Sequence, residues 1–159
     1  MQVEVVRSAK RQRTVQARRI GDLLRVSIPA TMSKAEEDLW VARMLERVGR
    51  RASTDEIALA PRALALAARH RLPEPCSIRW VDNQESRWGS CTPRDGSIRI
   101  SSRLAKLPGW VLDYVIVHEL AHLAVTAHDA SFWALVERYP RAERARGYLM
   151  AVGAGADLD

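Results

Sequence analysis

The chain has 159 residues, with 25 Lys and Arg against 19 Asp and Glu, so its formal net charge is +6. This length fits one domain over residues 1–159, and no apolar run approaches the ~20 residues that a helix needs to cross a bilayer. Cys76 and Cys91 form no CxxC pair, which argues against a disulfide scaffold and a thiolate zinc knuckle. The N-terminus lacks the apolar stretch of a secretory signal, so we expect a cytoplasmic protein without a membrane partner.

The N-terminal residues predict a hairpin followed by a helix. Residues 13–28 contain two short strand patterns around the turn signal Gly21-Asp22. Ser33 and Glu36 have the spacing of a capping box, in which each residue satisfies a backbone N–H of the other. We therefore expect a first helix that begins after Ser33 and extends to about residue 51.

The rest of the chain alternates helical and strand patterns. Residues 54–71 are rich in Ala and Leu and predict a helix, which Pro61 either divides or begins. The strands SIRWVD and SIRIS flank a polar loop in a second hairpin-like unit, and apolar spacing predicts a helix from about 109 to 125. SFWALVERY and RAERARGYLMAV predict two further helices. The order indicates an α+β fold with an N-terminal hairpin, a small mostly antiparallel sheet and a central helix.

The stretch HELAHLAVTAH lies on the second half of the predicted central helix. Residues four apart share a helix face, so His118 and His122 can direct their imidazoles at one ion. Glu119 projects to the side, where its carboxylate can reach a water held by the metal. This is the role of a general base in metal-assisted hydrolysis.

A catalytic zinc needs three protein ligands, and His128 is the natural third. On a continuous helix His128 would point away from His122, so we expect the helix to end near residues 125–126 and the chain to turn back. Asp129 or Ser131 can cap the next helix just beyond this turn. His70 lies between two arginines at a helix C-terminus, where it is expected to interact with the helix dipole rather than with a metal.

Several separate motifs resemble the YgjP-like metallopeptidase family, which is related to the SprT-like and WLM zincin proteases. They are RSAKRQRTVQARR leading to RVSIP, SRWGSC followed by SIRIS, LPGWVLDYVIVHELAHL, His128 and SFWALVERYP. The resemblance covers most of the chain. It implies a compact zincin-like fold, a zinc ion bound by His118, His122 and His128, and Glu119 as the catalytic carboxylate.

SRWGSC, residues 86–91, is a second candidate for functional residues. In zincin-type sites a strand beside the metal helix pairs with an extended substrate, and either SIRIS or RWGSC could be that strand. Gly89 permits close backbone approach, and Arg87 could stabilise a developing oxyanion. The structural alternative is that Trp88 belongs to the core and Arg87 pairs with an acid such as Asp113.

Two further residues have a functional and a structural interpretation. Tyr114 lies one turn before His118 and could donate to an oxyanion, although it could simply pack. Cys91 could lie near the zinc, but a buried small apolar residue is the ordinary role of a free cysteine.

The basic residues of the N-terminal segment leave open the possibility that the protein binds a nucleic acid. Residues 7–19 hold six Lys and Arg and no acid, which could contact a phosphate backbone, but no aromatic residue lies between them. We place this hairpin at about 5–29 and the catalytic part at about 54–152.

The leading hypothesis is a zinc metallopeptidase that cleaves protein or peptide substrates. One alternative is a metal-dependent nucleotide pyrophosphatase, against which the lack of a Gly-rich phosphate loop counts. The other is a non-catalytic basic nucleic-acid-binding module with a structural zinc.

Overall fold

The computed structural model describes residues 1–84 and 86–153, and the chain divides into two compact units, Met1–Ala52 and Ser53–Asp159. Within the described residues, no helix has the length and apolar character required to span a membrane. Five α-helices and two three-stranded sheets are described, which confirms the α+β class. The assignment of 1–159 to one domain stays a prediction.

The first unit is a three-stranded sheet followed by a helix. The strands β1 (Gln2–Ser8), β2 (Gln16–Ile20) and β3 (Leu23–Pro29) lie in the order β1-β3-β2. β2 and β3 form the predicted antiparallel hairpin, and Gly21 adopts a φ of +59° at its turn. The buried face of β3 comprises Leu24, Val26 and Ile28, against which residues of α1 (Lys34–Asp55) pack.

Strand β1 was not predicted from the sequence, and it pairs in parallel with β3. The Arg7 side chain fixes its end by donating hydrogen bonds to the carbonyls of Ala30 (3.1 Å) and Met32 (2.7 Å) and to the Glu37 carboxylate (2.5 Å). Hydrogen bonds from Lys34 and Arg7 lower the pKa of Glu37. The pairing of β1 therefore rests on contacts to residues more than twenty positions away, which local alternation does not reveal.

The capping box predicted at the start of α1 is present. The Ser33 backbone N–H and hydroxyl donate to the Glu36 carboxylate at 2.9 and 2.7 Å, and the Glu36 N–H donates back to the Ser33 hydroxyl at 3.3 Å. These bonds satisfy donors that an uncapped helix start leaves open. The helix ends at Asp55, four residues beyond the expected end.

The second unit surrounds one apolar helix. Its elements are α2 (Leu59–His70), β4 (Ser77–Val81), β5 (Gly89–Thr92), β6 (Ser97–Ser101), a 3-10 helix (Ser102–Lys106), α3 (Gly109–His122), α4 (Ala130–Val136) and α5 (Ala142–Val152). Helix α3 contacts α2, α4, α5, β5 and β6. Every residue from 114 to 121 is buried, as expected of a helix that is apolar on all sides.

The second sheet differs from the expected mostly antiparallel one. Its order is β4-β6-β5, with β4 parallel to β6 and β5 antiparallel to β6. The two strands predicted from SIRWVD and SIRIS are both present, but they are parallel neighbours and the hairpin joins β5 to β6. Strand β5 is only four residues long and contains Gly89, so it has too little apolar alternation to be recognised from sequence.

Helix α2 begins at Leu59, later than the predicted start at residue 54, and Pro61 falls in its first turn. Proline is tolerated there because the first backbone N–H groups of a helix have no partner within the helix. The helix ends at His70, and the next residue, Arg71, adopts a left-handed φ of 52°.

We predict that Ser33→Ala lowers the free energy of unfolding by about 1 kcal/mol, because it removes the hydroxyl that caps α1. Urea unfolding followed by circular dichroism measures the change. Thr31→Ala is the control, since it alters a neighbouring exposed residue outside the cap and should shift stability by less than about 0.5 kcal/mol. Equal shifts in the two variants would contradict a stabilising role for the box.

Candidate metal centre and adjoining cleft

Two of the candidate ligands lie on the last turn and a half of α3. His118 is 1% exposed, and its Nε2 atom lies 3.2 Å from Nε2 of His122. Nδ1 of His122 lies 3.1 Å from the carbonyl oxygen of Val125. A backbone carbonyl on one ring nitrogen fixes the ring orientation and leaves the other nitrogen available as a ligand.

The third histidine is brought back by a tight turn after α3. Ala124 and Val125 both donate their N–H groups to the carbonyl of Ala121 at 3.0 Å, which closes the helix. Six residues beyond His122, Nε2 of His128 lies 3.3 Å from Nε2 of His118. The helix ends at His122, three residues before the predicted end, and the chain then turns back as expected.

Asp129 fixes the far side of this turn by capping α4. Its carboxylate accepts hydrogen bonds from the backbone N–H groups of Ser131 (2.9 Å) and Phe132 (3.1 Å) and from the Ser131 hydroxyl (2.5 Å). These bonds lower the pKa of Asp129. Of the two capping residues considered, Asp129 is therefore the cap, and it anchors the residue next to His128.

The spacing of the three imidazoles fits a tetrahedral metal ion. Zinc–nitrogen bonds of about 2.0–2.1 Å at tetrahedral angles place two ligand nitrogens about 3.3 Å apart. Nε2 of His118 lies 3.2 Å from Nε2 of His122 and 3.3 Å from Nε2 of His128. Among the described residues, the group whose donor atoms converge closely enough to hold a metal consists of His118, His122 and His128.

Phe132 on α4 forms a platform beneath all three imidazoles. Its ring stacks on His122, with centroids 4.3 Å apart and planes inclined by 28°. It meets His118 and His128 edge-on, at 4.8 and 4.6 Å. The side chain is fully buried, so one rigid ring restrains histidines from both sides of the turn.

Glu119 lies beside the histidines and is 4% exposed. Burial raises the pKa of Glu119 to about 8, and the positive charge of Arg87 opposes this rise. A further cation in the cleft would lower the pKa in the same direction as Arg87 does. The carboxyl group is thus placed where its charge state responds to positive charge in the cleft.

Gly89 at the start of β5 approaches the Glu119 carboxyl group closely. A Cβ atom at this position would lie 2.5 Å from Oε1 of Glu119, so any other residue would displace the carboxyl group. The glycine is required here by close contact, as the sequence suggested.

A cleft of about 250 Å³ adjoins these residues. It is lined by Arg87, Gly89, Ser90, Cys91, Pro93, Glu119, His122 and Thr126. Arg87 is exposed at this cleft, and Arg62 rather than Arg87 pairs with Asp113, at 2.6 Å. The predicted alternative that Arg87 pairs with Asp113 is therefore wrong. The other part of that alternative, a core position for Trp88, is confirmed.

The other residues considered lie outside the histidine group. Tyr114 is buried in the core of the second unit. His70 is buried at the end of α2 and meets Tyr139 edge-on at 5.6 Å. Phe132 belongs to SFWALVERY, for which the sequence predicts a helix, and its contact with all three histidines was not predicted.

The family comparison covers both the histidine group and the cleft. A model described as "YgjP-like, metallopeptidase domain" matches residues 9–151. The chain belongs to the YgjP-like metallopeptidase family. Membership confirms the resemblance noted in the sequence and places this YgjP-like domain among metal-dependent peptidases.

A structural comparison supports the fold of this YgjP-like domain. The crystal structure of the metallopeptidase zymogen of Pyrococcus abyssi abylysin is similar to it with a TM-score of 0.53 and 21% sequence identity. The match covers 60% of this chain and 94% of that one. At this identity the likeness concerns the fold alone. Among curated protein sequences, none matches this chain.

We predict that Phe132→Leu weakens zinc binding by about 10-fold or more, because loss of the ring lets the imidazoles of this YgjP-like domain reorient. Competition with a chromophoric zinc chelator measures the dissociation constant. Leu149→Ala is the control, since it also creates a defect in the core of the second unit but lies on α5. If both variants bind zinc as tightly as the parent, the platform does not position the ligands.

We predict that Cys91 reacts slowly with iodoacetamide at pH 8. Burial, followed by the negative charges of Glu119 and Asp95, raises the pKa of Cys91 to about 12. The reactive thiolate is then about one molecule in 10,000 at pH 8. Mass spectrometry of a Cys76→Ser variant, with the exposed cysteine removed, measures the rate. Labelling in urea is the control, and equal rates in folded and unfolded protein would refute the prediction.

Proposed function

We propose that this chain is a zinc-dependent peptidase in which His118, His122 and His128 hold the metal and Glu119 is the general base. The observation that carries this proposal is the convergence of the three Nε2 atoms at spacings of 3.2 and 3.3 Å next to an open cleft. Three protein ligands are the number that a catalytic zinc uses, since its fourth position takes water or substrate. We further propose that this chemistry resides in the catalytic part, about 54–152.

Zinc is the metal best suited to this donor set. Imidazole nitrogen is a ligand that zinc, copper, iron and nickel accept, and a tetrahedral arrangement favours zinc among them. When bound, the ion supplies Lewis-acid chemistry, which polarises a carbonyl and makes a water molecule more acidic.

We assign the proton transfers to Glu119. Its carboxylate takes a proton from the attacking water as the water oxygen bonds to the scissile carbonyl carbon. The same carboxyl group then gives that proton to the amide nitrogen as the carbon–nitrogen bond breaks, leaving a carboxylate and an amine. Burial suits this role because exclusion of water strengthens the electrostatic interactions between the carboxyl group and the reacting atoms.

We assign substrate alignment to the outer edge of β5. The order β4-β6-β5 leaves one side of β5 without a described partner strand, and the cleft includes its residues Gly89, Ser90 and Cys91. An extended peptide can add to such an edge through main-chain hydrogen bonds. Pairing there would run the substrate past Glu119, because Gly89 touches this carboxyl group.

We assign stabilisation of the developing oxyanion to Arg87. The side chain lines the cleft, and its positive charge acts on Glu119. A guanidinium group keeps its charge at any working pH and can donate several hydrogen bonds.

Nucleic-acid binding by the basic hairpin stays a prediction. Three of its six Lys and Arg side chains, those of Arg7, Arg11 and Arg19, already donate hydrogen bonds within the protein.

We predict that Glu119→Gln keeps zinc and reduces peptide hydrolysis by about 100-fold to 10,000-fold, because the amide cannot accept the proton. The assay follows cleavage of an unstructured protein such as casein, or of quenched fluorescent peptides, with metal content measured on the same sample. Alanine at position 118, 122 or 128 should remove zinc, whereas His70→Ala, the matched control, should keep it.

Two outcomes would sink the proposal. A Glu119→Gln variant as active as the parent would exclude the general base. Retention of zinc by all three ligand variants would exclude the metal site. Nucleoside triphosphates assayed in parallel test the pyrophosphatase alternative, for which hydrolysis should appear with these compounds and not with peptides.

A further inference from the structure

The segment between β4 and β5 brings two cleft residues to Glu119. Arg87 and Gly89 flank Trp88 in the sequence and both line the cleft, and a Cβ atom at position 89 would overlap the Glu119 carboxyl group. A shift of this segment would alter both the approach of Gly89 to Glu119 and the start of the β5 edge. Something must therefore hold the backbone at residues 87–89 in place.

Arg103, in the 3-10 helix after β6, contacts several of the described residues of this region. Its terminal nitrogen donates to the carbonyl of Arg87 at 3.0 Å, and its Nε donates to the Ser101 hydroxyl at 3.3 Å. The guanidinium carbon lies over the Trp88 ring, 4.2 Å from the centroid. One side chain thus contacts the backbone of Arg87, the indole of Trp88 and the last residue of β6.

Trp88 is a suitable attachment point because it is itself immobilised. The indole is 4% exposed, and the Trp88 carbonyl accepts a hydrogen bond from the Ser101 N–H at 2.9 Å. A cation over an indole face adds an attraction that strengthens as water is excluded. Arg103 therefore covers a fixed ring while holding the neighbouring carbonyl.

We propose that Arg103 is a positioning residue for the cleft, which acts by holding the backbone of Arg87 and the Trp88 ring so that Gly89 stays against Glu119. Its importance for catalysis rests on the proposed peptidase function. Arg103 does not line the cleft, so it acts through the segment and not on the substrate. This separates it from Arg87, which does line the cleft.

The guanidinium group suits this role because one side chain makes all three contacts at once. Nε and a terminal nitrogen donate to two acceptors while the guanidinium carbon lies over the Trp88 ring. A lysine ammonium could keep a charge near the indole but has no planar fork with which to hold both acceptors. Arg103→Lys should therefore retain part of the effect, and Arg103→Met should retain none.

Other hydrogen bonds keep the rest of the segment attached when Arg103 is replaced. Gln84 donates from Nε2 to the Ser90 hydroxyl at 2.6 Å, and Ser102 donates to the Asp82 carboxylate at 2.6 Å. Loss of Arg103 should therefore loosen residues 86–89 without releasing the ends of the segment. The histidines are contributed by α3 and the turn after it, so zinc binding should be unaffected.

The experiment compares the parent, Arg103→Met, Arg103→Lys and the control Arg99→Met, which removes an exposed arginine from β6. Hydrogen exchange read by mass spectrometry reports on backbone amides of residues 86–90. Zinc content, thermal midpoint, kcat and KM are measured on the same zinc-loaded samples. For Arg103→Met we expect faster exchange in this segment, unchanged zinc content and a kcat/KM reduced by about 10-fold to 100-fold.

Arg103→Lys should lie between the parent and Arg103→Met in both exchange and kcat/KM, and Arg99→Met should match the parent. If Arg103→Met exchanges at residues 86–90 like Arg99→Met, the positioning role is refuted. It is also refuted if kcat per folded molecule is unchanged while only the thermal midpoint falls. If the parent itself cleaves no peptide, the peptidase proposal fails, and the exchange data still decide whether Arg103 holds the segment.

Discussion

Two histidines four residues apart on a helix can direct their rings to one point, but a third histidine further along the same helix cannot. The candidate centre therefore depends on the chain reversal between His122 and His128. Hydrogen bonds to Ala121 end α3, and the Asp129 cap begins α4 just beyond the third histidine. With both ends of the turn fixed, the position of His128 is set by backbone hydrogen bonds as well as by a metal.

Charge adds a second constraint at the same place. Three neutral imidazoles would leave the charge of a divalent ion uncompensated, and a buried carboxylate costs free energy unless a cation lies near it. Glu119 is buried beside the histidines, and Arg87 supplies positive charge at the cleft. A bound ion and the carboxylate would therefore favour each other electrostatically, which gives a reason for burying Glu119 next to the three histidines.

The sequence predicted most of the elements, the β2–β3 hairpin and the grouping of the three histidines, but it did not predict the parallel strand pairs. The capping box at Ser33 and the end of α3 depend on neighbouring residues, so local patterns reveal them. The parallel pairing of β1 with β3 depends on Arg7 reaching Glu37, thirty positions away. Likewise, the platform role of Phe132 arises only when α4 folds back beneath the turn, which spacing alone does not indicate.

Helix α3 is surrounded by apolar neighbours over nearly its whole length, and this affects how the protein can gain and lose its ion. In a zinc finger, metal binding supplies much of the free energy of folding, so removing the metal unfolds the chain. Here two of the three candidate ligands, His118 and His122, lie on a helix that is buried in the core of the second unit. A metal ion would then bind to and leave a folded protein. The concentration of available ion, rather than refolding, would determine the fraction of active protein.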